Sequence, residues 1–216
     1  GLDSLTLSLD TLKPEKINHI NGAKKQFNVD DVLRGIEKHF GHVKTNTVVI
    51  KGVNDDELFD IIQLVKKFKS EIRFIEYMDV GETHDWNLNK VIPTNDLVTK
   101  IKLTHELQAI GSDKSSTSKR WAIKNSNSSL GFISSITEPF CSDCNRARLS
   151  VDGKLFTCLF ATEGYDFKEI LRSNKSDDKF LNYFQEIWRN RSDRYSEIRF
   201  IKKENLPKVE MSYIGG

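Results

Sequence analysis

The residues of this chain best suited to chemistry are its three cysteines. Cys141 and Cys144 form a C-x2-C turn, and Cys158 follows after thirteen residues, all within FCSDCNRARLSVDGKLFTCLF at 140–160. Three thiols are one too many for a disulfide and one too few for a closed zinc site. The five histidines, at 19, 39, 42, 84 and 105, are all distant in sequence. The spacing allows three readings. A [4Fe–4S] cluster on three thiolates would leave one iron open to a small ligand, zinc would need a remote fourth ligand or water, and the third reading is three incidental cysteines without a metal. Arg146 and Arg148 begin two residues after Cys144. On a strand they would share one face beside the thiols, as a guanidinium pair suited to phosphate or carboxylate. The plain alternative is two surface arginines. Asp152-Gly153 predicts a hairpin between RARLSV and KLFTCLF. An ideal two-residue turn puts Cys158 on the face opposite the arginines, and a bulge would reverse this.

Composition narrows the partners. The 216 residues can bury a real core, as one large domain or two modest ones. Lys and Arg number 33 against 31 Asp and Glu, a formal charge of +2. That near balance argues against a nucleic-acid-binding protein. No apolar run approaches the ~20 residues that span a bilayer, so no membrane association is expected. An odd, clustered cysteine count argues against an extracellular disulfide framework and predicts a reducing, cytoplasmic setting. Gly1-Leu2-Asp3-Ser4 is not a signal peptide and carries no initiator Met. It reads as a strand entered in mid-fold, with a segment expected upstream.

The elements that must position these residues follow from periodicity. SLTLSLD alternates, with Leu5, Leu7 and Leu9 on one face and Thr6 and Ser8 on the other. A helix is predicted over 30–40, with Val32, Leu33, Ile36 and Phe40 on one side. HVKTNTVVIKG reads as a strand closed by Gly52, and EIRFIEYM as another. Between them NDDELFDIIQLVKKFKS reads as a helix, with Asn54 and Glu57 as a capping box and Leu58, Ile61, Ile62, Val65 and Phe68 as its apolar stripe. This order predicts an α/β fold of parallel βαβ units, a partial (β/α) barrel, followed by an α+β extension that carries the cysteines. Past Pro93, Thr94 is expected to cap a short helix. The polar GSDKSSTSKR places a boundary near 100–115, dividing the chain into 1–100 and 101–216. Strands at 120–124 and 130–136 and helices at 166–172 and 177–190 complete the prediction.

PFCSDCNRARLSVDGKLFTCLF closely resembles the C-terminal cluster-binding segment of the GTP 3′,8-cyclases of molybdenum cofactor biosynthesis, which are radical S-adenosylmethionine enzymes. LTLSLDTL, VKTNTVVIKGVNDDE, IRFIEYMDVG, DRYSEIR and the terminal YIGG agree in order along the whole chain. The resemblance implies an incomplete β/α barrel with a C-terminal extension. In that family a first [4Fe–4S] cluster, on a C-x3-C-x2-C loop, cleaves S-adenosylmethionine. A second cluster, on three cysteines matching Cys141, Cys144 and Cys158, takes the guanine of GTP on its open iron. The 5′-deoxyadenosyl radical removes the ribose 3′ hydrogen, and that carbon attacks C8 of guanine. The product is a 3′,8-cyclo-GTP, which cyclic pyranopterin monophosphate synthase consumes downstream.

The same resemblance assigns residues. Arg146, Ala147, Arg148 and Lys44 match substrate-binding positions for GTP, and Ser8 and Met78 match contacts to S-adenosylmethionine. Arg73 matches an arginine linked to the active site, and Gly215 and Gly216 match a tail that enters it. A reductant such as flavodoxin or ferredoxin and a homodimeric state are implied too. Without the resemblance, Lys44 would pass as an edge lysine and Met78 as core. No C-x3-C-x2-C occurs in these 216 residues. They are therefore expected to be a fragment that lacks the S-adenosylmethionine cluster loop and is inactive alone. The competing class is a non-catalytic three-cysteine module holding zinc or iron–sulfur.

Overall fold

The computed structural model describes residues 1–21, 28–81, 86–111, 116–173, 176–200 and 208–214. Its strands are β1 (Thr6–Ser8), β2 (Val43–Val49), β3 (Ser70–Glu76), β4 (Leu107–Gly111), β5 (Lys119–Ile123), β6 (Ser129–Ile133), β7 (Arg148–Leu149), β8 (Lys154–Phe156) and β9 (Tyr165–Asp166). Its helices are α1 (Pro14–Asn21), α2 (Val29–Phe40), α3 (Leu58–Val65), α4 (Thr94–Lys102), α5 (Phe167–Arg172), α6 (Asp177–Arg189) and α7 (Tyr195–Ile198). The chain divides into two units, residues 1–78 with 87–138, and residues 79–86 with 139–216.

In the first unit a six-stranded mixed sheet runs β1-β2-β3-β6-β5-β4. β1, β2, β3 and β6 are mutually parallel, as the βαβ spacing predicts, and β5 and β4 add on antiparallel. Strict alternation makes the strands two-faced. Val43 and Val49 of β2, Ile72 and Phe74 of β3, and Leu130 and Phe132 of β6 are buried in one core with Leu33 and Ile36 of α2, Ile61 and Ile62 of α3, and Leu97 and Ile101 of α4. The other face keeps Lys44, Asn46, Glu71 and Arg73 half-exposed. α2 starts where the Asn28 side chain accepts the Asp30 N–H at 3.0 Å, and it stops at Gly41, whose φ of 71° is left-handed.

Three local expectations are corrected. The first is the capping box: α3 has no side-chain cap. Asn54 instead accepts the Ile50 N–H at 2.7 Å and donates to the carbonyls of Asp10 and Val48, both at 2.8 Å. Glu57 accepts the Thr11 hydroxyl at 2.8 Å and the Leu12 N–H at 2.7 Å. Both side chains serve the backbone where β1 and β2 end, because buried strand-end groups are costlier to strand than exposed helix-start groups. Secondly, Thr94 is not a cap. It is the first residue of α4, and its N–H goes to Glu76 Oε1 at 2.9 Å. The third concerns division of the chain. The structural divide falls near residue 138 and not at 100–115, because β4, β5 and β6 extend the first sheet and β6 pairs directly with β3.

The second unit contains the three-stranded sheet β7-β8-β9. Leu155, Phe167 and Ile187 form its small core with Phe180, Tyr183 and Phe184 packed around them. Phe180, Phe184 and Ile187, at helical spacing along α6, therefore serve core packing.

Candidate functional site

On the polar face of the first sheet, register lines up the predicted residues. Ser8 pairs with Asn46, Asn46 with Arg73, and Arg73 with Gly131. One step along, Lys44 stands between Thr6 and Glu71. Side chains at paired positions project from the same side of a sheet, so Ser8, Lys44 and Arg73 share one face. Arg73 Nε lies 2.5 Å from Glu71 Oε1, and Arg120 approaches the same carboxylate at 3.7 Å. Glycine at 131 makes room for this: a Cβ there would lie 3.1 Å from Arg73 Cγ and would run into Ser118 Oγ. Met78 lies two residues past the end of β3, half-exposed.

In the second unit the three cysteines are free thiols of intermediate exposure. The C-x2-C turn is closed by the Cys144 N–H on the Cys141 carbonyl at 3.3 Å. Arg191, forty-seven positions on, donates to the Cys144 carbonyl at 2.6 Å. The Arg146 guanidinium lies 3.6 Å from Cys144 Sγ and stacks over the Phe140 ring at 5.0 Å. Burial raises the pKa of the Cys144 thiol, but hydrogen bonds from Arg191 and Arg146 and the Arg146 charge outweigh it, leaving the thiol below its ordinary value. Cys158 differs. Burial pushes its thiol up, the Phe160 N–H on its sulfur at 3.4 Å opposes this, and the Asp193 and Cys141 charges add to the rise.

The arginines do not share a strand face, contrary to the sequence expectation. β7 contains only Arg148 and Leu149, so Arg146 lies in the irregular segment before it. The hairpin is not of the two-residue type either. Arg148 pairs with Phe156 and Leu149 with Leu155, and the Ser150 N–H reaches the Lys154 carbonyl at 2.9 Å. The loop is therefore Val151-Asp152-Gly153, with Gly153 at φ 87°. A three-residue loop with a left-handed glycine is a common alternative, and it moves the register by one residue. Cys158 lies two residues beyond the end of β8, outside the ladder. The Arg148 guanidinium is pushed down by burial and by Arg146, while the charges of Cys158 and Cys144 pull it back up. Ala147 is exposed and offers only its backbone. Gly215 and Gly216 lie outside the described residues.

Sequence reasoning gave no role to the segment that ties these parts together. Asp193 accepts the Thr157 hydroxyl at 2.6 Å, and Tyr195 stacks on Phe160 with ring centroids 4.6 Å apart. With Arg191 on Cys144, residues 191–195 strap the C-x2-C turn to the return of the hairpin. The only available signal was DRYSEIR, which is conspicuous for its resemblance and not for any spacing.

As a donor set, three soft thiols with N–H and guanidinium groups directed at sulfur fit a thiolate-bound metal. Among the described residues, no three His, Cys, Asp or Glu side chains are gathered closely enough to hold a metal ion. In a cluster each thiolate ligates a different iron, so the sulfurs need not converge on one point as ligands of a single ion do. Among the described residues, no helix is long and apolar enough to cross a membrane.

A sheet with one polar, cation-bearing face and a cysteine-bearing second unit defines a class that the comparisons identify. Residues 70–197 match the family Molybdenum Cofactor Synthesis C, and the chain belongs to it. Its full length also aligns with proteins named GTP 3′,8-cyclase. It is 37% identical to that of Synechococcus sp. (strain CC9902), 39% to that of Aquifex aeolicus (strain VF5) and 37% to that of Staphylococcus carnosus (strain TM300). It covers 67%, 65% and 65% of these relatives, about two thirds of their length.

Proposed function

We propose that this chain is the C-terminal part of a GTP 3′,8-cyclase of molybdenum cofactor biosynthesis. It would help to convert GTP to (8S)-3′,8-cyclo-7,8-dihydroguanosine 5′-triphosphate, the substrate of cyclic pyranopterin monophosphate synthase. The observation that supports the reading is the Arg146 guanidinium 3.6 Å from Cys144 Sγ, a cation held beside the C-x2-C turn. Cys141, Cys144 and Cys158 are then the ligands of a [4Fe–4S] cluster, which when bound would offer an open iron to the guanine. Arg146 and Arg148 supply two permanent positive charges for the GTP phosphates, with the exposed Ala147 backbone between them. In the first unit, the parallel strands with helices on one face are read as the end of a (β/α) barrel. Its polar face would carry Lys44 toward GTP, Arg73 toward the reacting region and Ser8 toward S-adenosylmethionine. Met78, beyond the C-terminal end of a strand, is the second contact to S-adenosylmethionine. The terminal Gly215 and Gly216 would enter the same active site. The full protein would add the loop for a second [4Fe–4S] cluster, act as a homodimer and take electrons from flavodoxin or ferredoxin.

Anaerobic reconstitution tests this directly. The chain should take up about four irons and four sulfides. Arg146→Ala and Arg148→Ala should each retain that iron but bind GTP roughly tenfold more weakly, the cost of one charge-assisted hydrogen bond of about 1.5 kcal/mol. Stoichiometric zinc without sulfide would return the chain to the non-catalytic metal-binding class.

A further inference from the structure

Asp79 is 3% exposed, and two hydrogen-bond donors and an ion-paired guanidinium from the C-terminal part of the chain converge on it. Tyr195 Oη donates at 2.7 Å, Lys208 Nζ at 3.1 Å, and Arg199 Nε lies 2.9 Å from the other oxygen. The Arg199 guanidinium sits over both aromatic rings nearby, 5.1 Å from the Phe160 centroid and 5.3 Å from that of Tyr195. Phe160 stacks on Tyr195, and its N–H is the one directed at Cys158 Sγ. Asp79 thus connects to the Cys158 sulfur through Tyr195 and Phe160, all within the second unit. Two further contacts hold the C-terminal segment in place. Gly81, at φ 72°, packs so closely that a Cβ there would run into the Glu210 carboxylate. At the other end, Tyr213 donates to Asp152 Oδ2 at 2.7 Å, on the hairpin loop.

We propose that Asp79 is a positioning residue that clamps residues 195–200 and 208–214 onto the loop carrying Cys158, and so fixes the Phe160 N–H at that sulfur. A buried carboxylate suits this task. Removing its charge leaves the buried Arg199 guanidinium without its counter-ion and weakens the bonds from the more exposed Tyr195 and Lys208, so the clamped state loses more than one ordinary contact. A surface aspartate on the same three groups would be screened and weak. The clamp also gives the second unit a use for MDVG, a stretch in which Asp79 and Gly81 each meet the C-terminal segment. Its significance for a cluster rests on the function proposed above, but the contact itself does not.

The test uses the cluster-free 216-residue chain with Asp79→Asn. Two readouts are taken: iodoacetamide alkylation of each cysteine, resolved by mass spectrometry, and release of C-terminal residues by a carboxypeptidase. Both Cys158 alkylation and C-terminal release should rise about tenfold or more, as expected for losing a charge-assisted bond, while Cys141 and Cys144 stay within about twofold. Tyr195→Phe and Lys208→Met, each removing one donor, should give smaller rises in the same two readouts, and Asp79→Glu should restore part of the protection. Unchanged Cys158 alkylation and C-terminal release in a folded Asp79→Asn chain would overturn the proposal. So would an equal rise at all three cysteines, which marks general loosening. If Asp79→Asn does not fold, the two single-donor variants decide by the same criteria. Iron uptake is measured separately on the unmodified chain. Its failure would overturn the cluster and leave the clamp standing.

Discussion

Glu76 offers the sharpest quantitative test of how the first unit is held. It ends β3 and is 1% exposed. Its Oε1 accepts the Thr94 N–H at 2.9 Å and the Thr137 hydroxyl at 2.5 Å, and its Oε2 accepts the N–H groups of Ile136 at 2.8 Å and Thr137 at 2.9 Å. One carboxylate thus joins the start of α4 and the segment after β6 to the end of β3. Glu76→Gln replaces one oxygen by an amide nitrogen. The less costly orientation puts that nitrogen on the Oε1 side, where the Thr137 hydroxyl can turn and accept. The Thr94 N–H is then stranded and the bonds at Oε2 lose their charge assistance. Stranding one buried donor costs about 1–3 kcal/mol, so a total near 2–4 kcal/mol is expected. Glu76→Ala strands three backbone donors, and with partial rehydration should cost about 3–6 kcal/mol, a large share of the ~5–15 kcal/mol that holds a domain together. Urea unfolding followed by Trp121 fluorescence, in a Trp86→Phe and Trp188→Phe background, isolates this unit because Trp121 lies in β5. At about 2 kcal/mol per M, the Gln variant should lower the midpoint by about 1–2 M and the Ala variant by more. A Gln shift below about 0.3 M, or an Ala shift no larger than the Gln shift, would refute the accounting of donors.

Gly153→Ala should destabilise the chain by about 1–3 kcal/mol, combining a left-handed φ with a Cβ only 2.8 Å from Lys168 Cβ. Gly52→Ala, also left-handed but with nothing within 4 Å, should cost only about 1 kcal/mol, and equal thermal shifts would show that the contact with Lys168 is immaterial. Tyr195 is held above the ordinary tyrosine range, up to about 12, by burial first and then by its bond to Asp79. A raised pKa in the folded state favours the protonated phenol. Its contribution to stability is therefore complete below the unfolded value of about 10 and is lost between about pH 10 and 12. Denaturation midpoints across that window should fall more steeply for the unmodified chain than for Tyr195→Phe, and parallel profiles would contradict the assignment.

Where the sequence is periodic and the element half-buried, it predicts the fold well. β2, α3 and β3 are legible because their apolar positions repeat at two and at roughly three and a half residues, and all face one core. α1 and β4 carry little such signal. Of α1, PEKINHIN, Ile17 is the one hydrophobic residue recorded as buried, and four of the five residues of β4 are exposed. Apart from Leu107, which packs against the core, β4 is held by its ladder to β5, so its pairing is settled at long range. Asn54 and Glu57 mislead for the opposite reason. They match a local cap motif, but strand ends forty-odd positions away make better use of them. The rule that buried backbone groups find partners is more general than any cap motif, and it prevails here.

The cysteine site shows how far spacing alone can be taken. Spacing identifies the three thiols as a group, but it cannot decide which side of a hairpin a thiol two residues beyond a strand will take. That depends on one residue of loop length. Asp152-Gly153 reads as a two-residue turn, yet Val151 joins the loop and Gly153 takes the left-handed position. That single-residue difference shifts the β7–β8 register, and Cys158 lies two residues beyond its end. What then fixes the thiols is remote in sequence: Arg191 on the Cys144 carbonyl, Asp193 on Thr157, and Tyr195 on Phe160. These contacts act mainly on backbone and neighbouring side chains, and Arg191 also hydrogen-bonds the Cys144 thiol. A scaffold of that kind fixes the backbone around the thiols from outside their own segment. The three thiols, with Arg146 and Arg148 between them in sequence, are the donor set on which the proposed cluster and anionic ligand depend.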